Sequence, residues 1–70
     1  MNILNNLTVR QVEIIQLIIQ GKSTTAIAAH LGVKRSTIIN HLNNAQQRLG
    51  ARNKTQVVMI FKDEVDEFFK

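Results

Sequence analysis

Three glycines, Gly21, Gly32 and Gly50, divide this chain, and no proline occurs anywhere in it. Each glycine follows directly on a stretch whose apolar residues recur at helical spacing, where a residue free to adopt positive φ ends a helix. With no proline and abundant Leu, Ile, Ala, Gln and Lys between these stops, the chain reads as all-α. Seventy residues allow one small domain with a limited core, and the absence of cysteine removes disulfides and Cys-based zinc sites as supports. Helix packing, with or without pairing of copies, has to supply the stability.

Four helices follow, over about 8–20, 24–31, 35–49 and 54–69. Thr8 stands three residues before Gln11, the spacing of a capping box, and Leu7 and Val12 lie at the distance of a hydrophobic staple. Val12, Ile15 and Ile19 form the first stripe, widened by Ile14 and Ile18. Ser23 or Thr24 caps the second helix, whose inner side is Ile27, Ala28 and Leu31. Ala28 and Ala29 are small enough to let another helix approach, Gly32 turns the chain, and Val33 is expected to plug the corner. Ser36 or a neighbour opens the third helix, where Ile38, Leu42, Ala45 and Leu49 recur at i, i+4, i+7 and i+11. The fourth carries Val57, Val58, Phe61, Val65 and Phe68 among charges, with Met59 and Ile60 spreading the apolar surface beyond one face. Two helices joined through Leu31-Gly32-Val33, the second longer and basic at its start, make a helix-turn-helix.

Charge is divided along the chain. Residues 1–62 carry eight Lys/Arg against the single acid Glu13, a net +7, whereas residues 63–70 hold four acids and Lys70, a net −3. A basic body of this kind suits a polyanion, the phosphate backbone of nucleic acid above all. The start MNILNNLTV lacks a basic segment followed by an apolar run, so it is no signal peptide, and no apolar stretch approaches the roughly 20 residues of a membrane span.

The stretch Lys34–Gly50 poses the functional question. It displays Asn40, Asn43, Asn44, Gln46 and Gln47 with almost no acid. At about 100° per residue, Ser36, Asn40, Asn43 and Gln47 fall opposite the apolar stripe, with Ile39 and Asn44 at their flanks. Asn and Gln bond bidentately to adenine in a major groove, and an aliphatic side chain packs on the thymine methyl. Ile39, Asn40, Asn43 and Gln47 are therefore the candidate base contacts, with A·T pairs favoured. Lys34, Arg35, Ser36 and Thr37 at the start of this helix, and Lys22, Ser23 and Thr24 at the start of the second, are the candidate phosphate contacts. Arg48, Arg52 and Lys54 either touch phosphates or solvate the surface. A plain soluble helix face is the competing interpretation of the amides, and the helix-turn-helix setting argues against it.

The chain resembles the LuxR-type (NarL/FixJ/GerE) DNA-binding domains along Leu7-Thr8, Arg10, Glu13, Gly21, Ser23, Ile27-Ala28, Leu31-Gly32-Val33, Thr37, His41, Leu49-Gly50 and Arg52. These residues span about 7–60 in the family's order and spacing, and Asn40–Val58 is similar to the recognition and fourth helices of a stand-alone member. The resemblance implies a four-helix domain with the third helix in the major groove, the fourth at a dimer interface, and no room for a receiver or ligand-sensing domain. It implies a sequence-specific regulator of transcription on double-stranded DNA, in the cytoplasm of a bacterium or encoded by its phage, and associated with the nucleoid. The chain departs from the family's pattern at Gln11, where Glu is usual, at Ala26, where an acid is common, and at Ile39, where Lys or Arg usually faces DNA.

Val58, Ile60, Phe61, Val65 and Phe68 are the candidate dimer interface, since exposed aromatics mark partner surfaces. A symmetric pair would bind inverted or closely spaced half-sites. Other partners remain open: a larger LuxR-type regulator blocked by pairing through the fourth helix, or RNA polymerase. His41 reads as a packing histidine beside the first helix and His30 as an exposed residue at a helix end. Two histidines without cysteine hold no metal, and the acids at 63, 64, 66 and 67 lack the spacing and central glycine of a calcium loop. No nucleophile–base pair or phosphate-binding loop is present, so neither catalysis nor a cofactor is expected.

Overall fold

A computed structural model describes residues 6–68, with the Phe68 side chain left out. Four helices are present, α1 (Val9–Ile19), α2 (Thr24–Leu31), α3 (Arg35–Leu49) and α4 (Lys54–Phe68), and no strand occurs among the described residues. Helix α3 packs against all three others, and α1 touches α2 and α4 as well. The expected boundaries hold to within a residue, except that Phe69 lies outside the described residues.

Helix α1 opens with the expected capping box. The Thr8 hydroxyl oxygen accepts the Gln11 N–H at 3.1 Å, and Gln11 Oε1 accepts the Thr8 N–H at 2.9 Å. Closing both bonds lets Gln11 sit only 4% exposed, the one buried polar residue among those described. Leu7 and Val12 both pack against the core, as a staple requires. The stripe itself is rotated from its expected centre. Ile14 and Ile15 are fully buried, whereas Ile19 is 38% exposed. The reason is that α1 faces three helices rather than one, so its inward arc is broad, and in its last turn Leu17 and Ile18 pack against the core in place of Ile19.

All three glycines end helices in the left-handed region, with φ of 93°, 69° and 66° at Gly21, Gly32 and Gly50. The bonds are those of a Schellman ending each time. At Gly32 its own N–H reaches Ala29 O and the Val33 N–H reaches Ala28 O, and at Gly50 the pair is Gly50 to Gln47 and Ala51 to Gln46. Ser23, not Thr24, caps α2, its Oγ accepting the Ala26 N–H at 3.1 Å. Val33 does not plug the corner. It is 37% exposed, and Leu31 packs against the core from inside the turn instead. Likewise Ala28 is buried and Ala29 is exposed, so a single alanine serves the close approach.

Ser36 does not cap α3. The cap position is Lys34, with no side-chain hydrogen bond, and Ser36 lies exposed in the first turn. The stripe of α3 holds as expected: Ile38 and Ala45 are fully buried, Leu42 nearly so, and Leu49 packs at the edge. Helix α4 is capped by Asn53, whose Oδ1 accepts the Gln56 N–H at 2.9 Å. It contributes Val57 and Phe61 to the core, with Val65 packed against it. Each fully buried Ile or Phe in this core is worth about 1.5–3 kcal/mol of transfer free energy.

Candidate nucleic-acid interface

Opposite its buried stripe, α3 turns Ser36, Asn40, Asn43, Asn44 and Gln47 to solvent, with Ile39 half-buried at the margin. The amide face read from the sequence is thus a physical face, uncovered by any described part of the protein. It contains no charge between Arg35 and Arg48.

Around it the proposed backbone contacts fall at two helix starts. Lys34, Arg35 and Ser36 are exposed at the start of α3 and Thr37 is half-buried; Lys22 and Ser23 are exposed before α2 and Thr24 is half-buried. The two groups are joined, because Arg35 Nε donates to Thr24 Oγ1 at 3.2 Å. This bond spans the helix-turn-helix and fixes the guanidinium near α2. Ser23 uses its oxygen for capping and retains its hydroxyl hydrogen as a donor.

Beside the amide face, α2, α3 and α4 enclose a cleft of about 210 Å³. Ile39, Leu42 and Val57 form its apolar part, and Thr24, Arg35, Asn43, Gln46 and Lys54 its polar part. Lys54 therefore shares a surface with Arg35 and Asn43, which its sequence separation from them concealed. A cation at the first position of a helix opposes the macrodipole, and that local cost was the available signal that Lys54 serves something other than α4.

The remaining amides and cations divide differently from the sequence expectation. Gln46 Nε2 donates to the Arg52 carbonyl at 3.0 Å, and Gln56 Oε1 accepts the Arg52 N–H at 2.7 Å, so these two amides bind the α3–α4 connector. Arg48 Nη1 donates to the Asn6 carbonyl at 3.1 Å, tying the segment before α1 to the end of α3. Arg10 and Glu13 form an exposed pair at 3.8 Å, of the kind that contributes little to stability. His41 is half-buried and His30 exposed.

The candidate dimer residues need correcting. Phe61 is only 4% exposed and belongs to the core, because its position one turn after Val57 points it between α1 and α3. Its ring serves the core, and it reaches the surface only where it lines a groove with Ile19 and Val65. Val58, Ile60 and Val65 are half-buried, and the Phe68 side chain lies outside the described residues. Among the described side chains of α4, the large apolar residue that is exposed is Met59, at 58%.

Residues 5–61 match the family described as bacterial regulatory proteins of the luxR family. The chain belongs to that family. It is 40% identical over 53 residues to the spore germination protein GerE of Bacillus subtilis (strain 168), a match covering 76% of this chain and 72% of GerE. It is also similar to two longer proteins of the same organism. Over 60 residues it is 35% identical to the uncharacterized transcriptional regulatory protein YvfU and 30% identical to the transcriptional regulatory protein DesR. Each of those matches covers 86% of this chain but only 30% of the relative. As a LuxR-family helix-turn-helix, the chain is a DNA-binding domain of transcription regulation. Among the described residues, no helix is long and apolar enough to cross a membrane.

Proposed function

We propose that this LuxR-family domain binds duplex DNA sequence-specifically with α3 in the major groove, and that it regulates transcription as a pair of copies joined through α4. The observation that carries the reading is the uncovered amide face of α3, set opposite its core-facing stripe and bordered by cations at the starts of α2, α3 and α4. Asn40, Asn43 and Gln47 read base edges, with Ile39 against a thymine methyl, so half-sites rich in A·T are preferred. Lys22, Ser23, Thr24, Lys34, Arg35, Ser36 and Thr37 hold the backbone and fix the register, and Lys54 joins them from the far side of the cleft. Pairing uses Val58, Ile60 and Val65 together with Met59, and Phe61 supports this face from the core. Such a protein acts in the cytoplasm, at the nucleoid.

A binding selection from random duplexes, repeated with Asn40→Ala and Asn43→Ala, tests the reading. The expected result is an A·T-rich half-site core and a loss of about 1–3 kcal/mol of discrimination per substituted amide. Uniformly G·C cores, or full selectivity in both variants, would overturn it.

A second reading draws on the exposed Met59 together with the uncharged stretch from Ile39 to Gln47. In it, α4 pairs with the matching helix of a larger regulator and withholds that partner from DNA. It predicts hetero-pairing that survives Asn43→Ala and fails with Met59→Glu, without tight duplex binding by the chain alone.

A further inference from the structure

We infer that Gln46 is a positioning residue for the DNA contact on the α4 side of the groove: its carboxamide latches the α3–α4 connector and thereby holds Lys54 in the cleft beside Asn43. The inference rests on the DNA-binding reading above and adds to it a residue that touches no DNA.

The argument starts from what fixes Lys54. The first buried residue of α4 is Val57, almost one turn later, so packing does not hold the start of the helix. The connector Ala51-Arg52-Asn53 has no fully buried residue. Of its three residues only Ala51 packs against the core, so Arg52 and Asn53 are placed by hydrogen bonds, and Gln46 makes two to the connector. Its backbone carbonyl accepts the Ala51 N–H at 2.9 Å, and its side chain donates to the Arg52 carbonyl at 3.0 Å. Gln56 closes the other side of the same residue through the Arg52 N–H at 2.7 Å, while its own N–H is capped by Asn53. Arg52 is thus gripped by one amide from α3 and one from α4, and Lys54 follows two residues later on the wall of the cleft that Gln46 also lines.

Side-chain entropy makes the latch matter. A lysine on an unconstrained connector loses more freedom on meeting a phosphate than one whose backbone is already fixed. The amide of Gln46 is consequently turned to protein, and the neighbouring Asn43 and Gln47 are turned to solvent.

The test uses the whole chain and its preferred duplex, with affinity measured across 50–200 mM salt for wild type, Gln46→Met, Gln56→Met, Lys54→Ala and the pairing of Gln46→Met with Lys54→Ala. Methionine keeps length and helix propensity and removes the amide. Loss of one phosphate contact lowers the salt slope by about 0.9, so affinity falls about 3.5-fold less across that range than it does for wild type. Gln46→Met and Gln56→Met are expected to reproduce the slope of Lys54→Ala, the paired variant to fall no further, and base preference to stay unchanged. A role confined to folding would lower the melting temperature and leave the slope at its wild-type value, which overturns the inference. So does a wild-type slope in Lys54→Ala, or an altered base preference in Gln46→Met. If wild type itself binds no duplex, the reading of the domain as an autonomous DNA binder fails first, and the latch with it.

Discussion

Replacing Phe61 with alanine separates two roles that its sequence position leaves entangled. Phe61 sits between α1 and α3, 4% exposed, in the cluster that contains Ile14, Ile15, Ile38 and Val57. Truncating a buried phenylalanine removes its transfer free energy and leaves a cavity, a cost of about 3–5 kcal/mol. A domain of this size holds only about 0.05–0.15 kcal/mol per residue in total, so Phe61→Ala removes a large part of its stability. Urea denaturation followed by circular dichroism measures this directly. At about 4–8 °C per kcal/mol for a chain this short, the thermal midpoint falls by well over 10 °C. Concentration then discriminates between core and interface. A residue lost from a dimer contact weakens the protein through mass action, so its effect on stability vanishes far below the dissociation constant and grows as protein concentration rises through it. A residue lost from a monomer core costs the same at every concentration. Met59→Ala supplies the complement, a stable fold with weakened self-association. A Phe61→Ala protein within 0.5 kcal/mol or so of wild type, the scale of surface substitutions, would refute the placement of Phe61 in the core.

Three further outcomes follow from the same geometry. Gly32→Ala meets no atom within 4 Å of its new Cβ but must hold φ at 69°, so it costs about 1–2 kcal/mol of strain alone; a neutral result in urea denaturation would count against the Schellman turn. Thr8→Ala opens the capping box of α1 and lowers unfolding free energy by about 1 kcal/mol, read from the denaturation midpoint. Lys34→Ala weakens binding to all duplexes alike and lowers the salt slope by about 0.9, and a change in base preference instead would show that Lys34 reads bases.

The helix-turn-helix was legible because its signals are local. Gly32 marks the turn, Thr8 and Gln11 mark the start of α1 at fixed spacing, and the α3 stripe repeats cleanly through four apolar residues. What sequence left obscure depends on how helices face one another. The wheel of α1 gave no reason to rank Ile14 above Ile19, since both are isoleucines on a broad stripe and only the crossing of three helices selects between them. Phe61 and Met59 are likewise both apolar on α4, and a two-residue rotation decides which is core and which is surface. The outward amides of α3 were legible as an exposed set, but the role of Gln46 depends on a bond to Arg52, six residues away across a turn. Lys54 joined the cleft for a similar reason: its neighbours there, Arg35 and Asn43, lie on another helix.

The enclosed carboxamide of Gln11 has a consequence for acid tolerance. A glutamate in that position would close the same ring of two bonds but would take up a proton in acid. Glutamine has no proton to gain there. The two bonds that close the entry to the first helix therefore carry no titratable group and stay closed on acidification.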